Sequence, residues 1–183
     1  MNSRQAENSI ETERLLLRPL SRSDTTRIAA LGGDWDVASM TSRMPYPYSI
    51  ADAAQWVDAQ ADGEFVRGII LNGELIGVCG YLPDGSGGAE IGYWIGKSYW
   101  GQGFATEAGR ALVGAAFGDP ALSHLVCGHF TDNPASERVI HKLGFVRIGE
   151  AECWCEAQGR DVPAIRYHLP RPRRRWRDVF RQS

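Results

Sequence analysis

Long apolar runs are missing from this sequence. No segment approaches the roughly eighteen consecutive apolar residues that a transmembrane helix requires. The first ten residues, MNSRQAENSI, are polar and contain no apolar leader core, so they do not indicate a secretory signal. These absences predict a cytoplasmic protein without a membrane span. At 183 residues the chain has the length of one domain.

Cysteine is scarce as well, and the cysteines form no recognisable disulfide framework: Cys79, Cys127, Cys153 and Cys155. Cys79 and Cys127 lie in apolar, strand-like runs, which favours buried free thiols. His124, Cys127 and His129 are near one another in sequence, but in a strand His124 would point away from the other two. The sequence therefore predicts no metal site.

The net charge is small but unevenly distributed. The formal charge is −2, yet the segment from Pro170 onward carries six arginines against one aspartate, which leaves −7 on the first 169 residues. We expect a folded domain at residues 10–169 and a basic tail at residues 170–183. The acidic body favours a cationic substrate. The tail is typical of a solvated chain end, with a contact to RNA or to a phosphorylated partner as the alternative.

Strand and helix patterns divide the domain into a mixed architecture. Asn72-Gly73 lies between two β-rich runs, which is the strongest short-range hairpin signal. The strand at 89–95 leads through a helix to a strand at 122–130, so we expect one parallel pair in a largely antiparallel sheet. The predicted strands are 12–19, 64–71, 74–82, 89–95, 122–130, 146–148 and 165–169, and the helices are 24–32, 35–44, 50–61, 105–117 and 134–144. The predicted fold class is α+β, with a mixed, mostly antiparallel central sheet flanked by helices.

The segment at 89–117 predicts a strand, a glycine turn and a helix in direct succession. Gly101 and Gly103 allow backbone conformations that other residues avoid, so successive N–H groups can converge on one point. The first turn of the helix adds unpaired N–H groups and the positive end of the helix dipole. The pattern therefore predicts a site for an anion such as a pyrophosphate.

Two common phosphate motifs do not fit this turn. Gly96-Lys97-Ser98 ends like a P-loop, but the earlier glycine of that motif would fall at Ile91. A dinucleotide fingerprint would need a third glycine where Thr106 stands, and three strands already precede the turn. The predicted anion site is therefore of another kind.

Four segments, in matching order, resemble the GNAT superfamily of acyl-CoA N-acyltransferases: AEIGYW at 89–94, WGQGFATEA at 100–108, NPASERV at 133–139 and KLGF at 142–145. The opening TERLLLRP at 12–19 is similar to its Rim-type branch, which acetylates N-terminal α-amines of ribosomal proteins. The resemblance covers residues 10–169. The superfamily pattern R/Q-x-x-G-x-G/A has Ser98 in its first position here. This departure removes one polar or cationic side chain but leaves the backbone N–H groups of the glycine turn in place.

The resemblance implies acetyl-CoA as cosubstrate, with its diphosphate on the glycine turn and its pantetheine arm beside the strand at 89–95. It implies these cofactor-binding residues: Tyr93, Trp94, Ile95, Trp100, Gly101, Gln102, Gly103, Phe104, Ala105, Thr106, Asn133 and Ser136. Asn133 has an alternative role as the cap of the helix that begins at Pro134.

Acyl transfer to an amine needs a proton acceptor, a stabilised oxyanion and a proton for the departing thiolate. Glu90 is the candidate base, because it lies in an otherwise apolar strand where partial burial would favour its protonated form. A solvated glutamate at the strand end is the alternative. The N–H of Trp94 or Ile95 is the candidate oxyanion donor. The resemblance implies Ser136 as proton donor, since no tyrosine lies near the start of the last helix.

Four aromatic residues are candidates for the acceptor pocket, with core packing as the alternative: Trp35, Tyr46, Tyr48 and Trp94. The predicted reaction is acetyl transfer to a primary amine, either a peptide N-terminus or a small molecule. A non-catalytic acyl-CoA-binding module and a nucleotide-binding protein are the alternatives. The expected partner is the amine acceptor, and the oligomeric state is left open between a monomer and a homodimer.

Overall fold

This computed structural model describes residues 9–60 and 64–172 of the chain. These residues contain eight strands and five α-helices. Their order is β1 (Ile10–Glu11), β2 (Leu15–Arg18), α1 (Thr25–Gly32), α2 (Trp35–Ala38), α3 (Ile50–Asp58), β3 (Phe65–Leu71), β4 (Glu74–Pro83), β5 (Gly88–Ile95), α4 (Phe104–Ala116), β6 (His124–Phe130), α5 (Pro134–Lys142), β7 (Val146–Cys155) and β8 (Arg160–Pro170).

The strands form one sheet in the order β1-β2-β3-β4-β5-β6-β8-β7. Every neighbouring pair is antiparallel except β5 and β6, which are parallel and are connected through α4. The Asn72-Gly73 hairpin joins β3 to β4, and both of its residues have positive φ, as a tight two-residue turn requires. The predicted fold class is confirmed, and so is the position of the parallel pair.

The parallel pair separates part-way along its length. Residues pair from Gly88 with His124 to Glu90 with Val126, but β5 continues to Ile95 and β6 to Phe130. Backbone groups beyond the last pair therefore lack a neighbouring strand on that side. The result is a gap in the middle of the sheet, bordered by the second halves of β5 and β6.

The two faces of β5 look onto different helices. Ala89, Ile91 and Ile95 pack in one core with residues of α4 and α5. The alternate residue Trp94 packs instead against a smaller cluster that includes Ile28 of α1 and Ala53 of α3. We call these the α4–α5 face and the α1–α3 face of the sheet. Because side chains alternate along a strand, Glu90 and Gly92 share the α1–α3 face with Trp94.

The last two strands are much longer than the sequence predicts. In β8 the buried face changes along the strand: Val162 and Ala164 pack with Phe130, whereas Tyr167 and Leu169 join the core of the α4–α5 face. This change of face disrupts the period-two pattern on which strand prediction depends. In addition, β1 was not predicted, and the helix expected at 35–44 ends at Ala38.

The beginning of the predicted basic tail is fixed to the body. Arg171 donates hydrogen bonds from Nε to Leu122 O and from Nη1 to Phe117 O, both at 2.7 Å, and from Nη2 to Asp119 O. These carbonyls lie at and after the C-terminus of α4, where a cation is favourable. The rest of the tail, 173–183, lies outside the described residues.

Candidate functional site

The glycine turn presents a row of unused backbone donors. Gly101 and Gly103 have φ of 74° and 83°, and Gly103 caps the N-terminus of α4. Within the described residues, the N–H groups of 101–106 donate no hydrogen bond. The N–H of Trp100, in contrast, donates to Lys97 O at 3.2 Å, so the row of unused donors, which we call the cradle, begins at Gly101. Six N–H groups at a helix N-terminus are suited to a polyanion such as a diphosphate.

The cradle is held from behind by the loop before β2. Glu107, in the first turn of α4, accepts hydrogen bonds from Thr12 Oγ1 at 2.6 Å and from Arg14 N and Nε at 2.8 and 2.7 Å. Arg14 Nη1 also donates to Gln102 O at 3.1 Å, and its guanidinium lies 4.5 Å from the ring centre of Phe104. Burial acts to raise the pKa of Glu107, but these hydrogen bonds and the charge of Arg14 outweigh it and hold the pKa below its ordinary value. Arg14 thus neutralises a carboxylate that would repel an anion.

Arg14→Ala is expected to raise the Kd for CoA about 5-fold, equivalent to ~1 kcal/mol, because it leaves the negative charge of Glu107 beside the cradle. Titration calorimetry at low salt measures the change. Adding Glu107→Gln should restore most of the affinity, as a double-mutant cycle tests. Arg22→Ala, which breaks a surface ion pair with Asp58, is the control and should leave CoA binding unchanged. A Kd unaffected by Arg14→Ala at low salt contradicts this role.

The gap in the sheet exposes selected backbone groups of β5. Gly96 N–H donates to Ile76 O at 2.8 Å, and Asp84 N–H donates to Gly88 O at 3.0 Å. Even-numbered residues of β5 therefore direct their backbone groups to β4, since the direction alternates along a strand. The N–H of Ile95 consequently faces the gap, whereas that of Trp94 is directed to β4 and is not available there. Of the two predicted oxyanion donors, the geometry supports Ile95.

A pair of hydroxyl groups lies across the gap from β5 to α5. Tyr93 Oη and Ser136 Oγ are 3.0 Å apart, so the predicted proton donor Ser136 shares its hydrogen bond with a tyrosine from the strand. Burial raises the pKa of Tyr93 above its ordinary value, so this phenol stays protonated at neutral pH. Asn133 Oδ1 accepts from Ser136 N at 3.0 Å, and Asn133 is thus the N-cap of α5. One of its two predicted roles, the helix cap, is confirmed.

Glu90 forms an ion pair that the sequence did not indicate. Arg166 Nη1 of β8 donates to Glu90 Oε1 at 2.7 Å across β6. A Cβ atom on the intervening Gly128 would lie 3.2 Å from that nitrogen, so the glycine leaves room for the contact. The side chain of Glu90 is 42% exposed. Glu90 is therefore partly buried, and it lies on the open α1–α3 face and not in the core.

One cavity of about 990 Å³ passes through the gap and connects the two faces of the sheet. It is lined by Glu90 and by every predicted cofactor-binding residue except Gln102, whose side chain turns toward Ser98 O. On the α1–α3 face a methyl group on Gly92 would meet no atom within 4 Å, so the cavity is open above it.

Two of the four predicted acceptor-pocket aromatics line this cavity. Tyr48 and Trp94 do so, and burial, with a contribution from the charge of Asp52, raises the pKa of Tyr48 to about 12. Trp35 and Tyr46 do not. Their rings contact each other with centroids 4.9 Å apart, and both are nearly half exposed, because the Pro-Tyr loop directs Tyr46 outward. Their assignment to the acceptor pocket stays a prediction that the lining of this cavity does not support.

The fold and this site match a known family. A family model described as an acetyltransferase (GNAT) domain matches residues 14–146. The chain belongs to the GNAT family. This GNAT acetyltransferase is 28% identical over 169 residues to the uncharacterised N-acetyltransferase p20 of Bacillus licheniformis, covering 88% of this chain and 95% of the relative. It is 27% identical over 167 residues to the putative ribosomal N-acetyltransferase YdaF of Bacillus subtilis, covering 86% and 91%.

A solved structure supports the same fold. RimL, a ribosomal L7/L12 α-N-protein acetyltransferase in complex with coenzyme A, superposes with a TM-score of 0.77 at 20% identity, covering 88% of this chain and 97% of RimL. The similarity to ribosomal-protein acetyltransferases confirms the resemblance of this GNAT chain to the Rim-type branch.

No three His, Cys, Asp or Glu side chains in residues 9–60 and 64–172 lie close enough to share a metal ion. None of the helices in those ranges is both long and apolar enough to cross a membrane.

Sequence reasoning missed two arginines of this site. Arg14 meets Glu107 across 93 residues, and Arg166 meets Glu90 across 76. The signal for Arg14 was present, since the TERL and ATEA segments both carry the resemblance and hold opposite charges. Arg166 had no such signal, because β8 was predicted too short to place its register.

Proposed function

We propose that this chain transfers an acetyl group from acetyl-CoA to a primary amine by direct attack of the amine on the thioester. The observation that carries the proposal is the row of six N–H groups at 101–106, which have no hydrogen-bond acceptor among residues 9–60 and 64–172, beside a gap in the sheet. Each hydrogen bond to a charged acceptor contributes about 1.5 to 3 kcal/mol, so a few of them suffice for micromolar affinity. A methyl group on Gly101 would meet no atom within 4 Å, so a diphosphate has room to approach.

Acetyl-CoA supplies the acetyl group as an activated thioester. In the proposed reaction Ile95 N–H stabilises the negative charge that develops on the thioester oxygen. The Tyr93–Ser136 hydroxyl pair donates a proton to the departing thiolate. The Ile95 N–H and the Tyr93–Ser136 pair face the gap from the α4–α5 side, where the cradle also lies. They can therefore contact the cosubstrate without entering the part of the cavity on the α1–α3 face, where the amine binds in this proposal.

Glu90 receives the proton of the attacking amine in this proposal, directly or through a water molecule. It faces the α1–α3 side, so the amine approaches from the face opposite the coenzyme. The free energy that Glu90 must supply to deprotonate the amine depends on the acceptor. Neutralising a lysine amine at pH 7 costs about 4.6 kcal/mol, whereas the α-amine of a peptide N-terminus costs about 1 kcal/mol. A moderately exposed carboxylate is sufficient for an α-amine, and ribosomal acetyltransferases among the relatives are consistent with such a substrate.

Calorimetry and a transfer assay test the proposal together. CoA and acetyl-CoA should bind with micromolar Kd, whereas ATP should give no heat at the same concentrations. A thiol-release screen across peptides with varied first residues and a panel of small amines should then identify acceptors. The absence of CoA binding to folded protein would refute the proposal. CoA binding without transfer to any amine would favour an acyl-CoA-binding module.

A further inference from the structure

The ion pair between Glu90 and Arg166 lies on the floor of the acceptor side of the cavity. Both side chains line the cavity, and they are 42% and 30% exposed. Ion pairs with this much exposure contribute little to stability, so folding alone gives no reason to place two opposite charges here. Their position beside the gap, where an amine must approach the thioester, indicates a role toward the acceptor.

Both partners keep unused hydrogen-bonding capacity. The guanidinium of Arg166 uses one nitrogen, Nη1, for Glu90, and within the described residues Nε and Nη2 make no hydrogen bond. Oε2 of Glu90 likewise accepts none from the described residues. A guanidinium has five N–H groups in a fork that matches a carboxylate, and a carboxylate can accept several donors. The pair can therefore bind a ligand that carries both charges.

The other arginines and the lysine that line the cavity do not form an ion pair with Glu90. Arg43 is exposed. Two further basic residues that line the cavity, Arg138 and Lys142, lie on or at the end of α5, on the far side of the sheet. Among the described residues, Arg166 is thus the cation adjacent to Glu90 on the acceptor face.

We propose that the acceptor is a zwitterion, a free α-amino acid whose carboxylate binds Arg166 while its ammonium group faces Glu90. This inference rests on the proposed acetyl transfer and narrows its substrate class. The positive Arg166 and the negative Glu90 together complement a ligand that carries a carboxylate and an ammonium group. A simple diamine carries only positive charges, so Arg166 would repel it. The step balances: the ammonium first loses one proton to solvent through Glu90 and becomes the nucleophilic amine, and Glu90 takes a second proton as the N–C bond forms. The C–S bond breaks, and the Tyr93–Ser136 pair protonates the thiolate and regains its proton from solvent.

The wall next to the ion pair determines which amino acids fit. Met44, Tyr48 and Trp94 pack together and border the same cavity on the α1–α3 face. These side chains are apolar or aromatic, so they favour an acceptor with an apolar side chain. L-Phenylalanine is accordingly chosen as the probe, and L-phenylalaninamide is its matched partner without the carboxylate.

The first test compares these two probes with the unmodified enzyme and saturating acetyl-CoA. The amino acid is expected to have a kcat/KM about 10-fold or more above that of the amide, compared at equal concentrations of unprotonated amine. A short peptide beginning with phenylalanine should behave like the amide. Calorimetry on the CoA-loaded protein should rank the probes in the same order by their Kd values. This measurement does not depend on turnover. Equal or better use or binding of the amide or the peptide overturns the inference.

The second test replaces the arginine. Arg166→Gln should reduce the preference for the amino acid over the amide to near unity, and Arg166→Lys should retain part of it. Arg160→Gln, on the same strand but outside the cavity, should leave the preference intact. An unchanged preference in folded Arg166→Gln refutes the inference. If Arg166→Gln fails to fold, the inference is tested instead by Arg166→Lys and by the comparison of the two probes with the unmodified enzyme. If these tests fail but the protein still acetylates other amines, only this inference is refuted. If the protein does not bind CoA, the proposed function is refuted as well.

Discussion

Replacing Glu90 with glutamine is expected to lower kcat about 100-fold or more at pH 7, the typical worth of a positioned general base. Glutamine keeps the length of the side chain and can still accept a hydrogen bond from Arg166, so the change removes the proton acceptor with little loss of packing. The Kd for CoA should stay within about 2-fold, because the cradle lies on the other face of the sheet. Steady-state thiol release and calorimetry measure the two quantities.

The pH dependence adds a second readout for Glu90. In the variant, solvent must supply the free amine, so the residual rate should rise with pH until the pKa of the acceptor amine is reached. Glu152→Gln is the matched control, since this exposed carboxylate of β7 lies outside the cavity. It should behave like the unmodified enzyme. A kcat for Glu90→Gln within about 3-fold of the unmodified value would remove Glu90 from the mechanism.

Gly103→Val is expected to raise the Kd for CoA about 100-fold, equivalent to the loss of one or two hydrogen bonds to a charged acceptor. Gly103 has φ of 83°, a conformation that a β-branched residue strongly disfavours. Relief of that strain must rotate the neighbouring peptide groups, and with them the N–H groups of the cradle. Calorimetry with CoA gives the Kd, and urea unfolding gives the stability change, about 1 to 3 kcal/mol.

Gly85→Val separates this strain from the loss of the cradle. Gly85 has φ of 77° in the loop between β4 and β5, and a Cβ there would meet no atom within 4 Å. The control should lose a similar amount of stability yet bind CoA with unchanged affinity. Comparable CoA affinity in the two variants would mean that the glycine turn is not the diphosphate site.

Local signals predicted much of the fold. The Asn72-Gly73 hairpin and the Asn133 cap of α5 each depend on residues within a few positions of one another, and both are present. The parallel pair followed from chain order. The last two strands were predicted poorly because β8 exchanges its buried face part-way, which no window of fixed period can follow.

The site was predictable where one segment forms it and not where distant strands meet. The glycine turn and α4 are contiguous, so the cradle could be located from sequence. The surroundings of Glu90 depend on Arg166, which reaches it only because β8 lies next to β6 and Gly128 leaves room. The outward position of Trp35 and Tyr46 depends on the path of a loop, for which aromatic composition is no guide.

The opposite faces of β5 have a consequence for how acceptor choice could change over time. In the proposed reaction, even-numbered positions such as Gly92 and Trp94 face the amine, and odd-numbered ones such as Tyr93 and Ile95 face the coenzyme. The strand therefore acts as a partition whose sides can mutate separately. New acceptors can be gained by substitutions on one side while the grip on the shared acetyl donor is inherited unaltered.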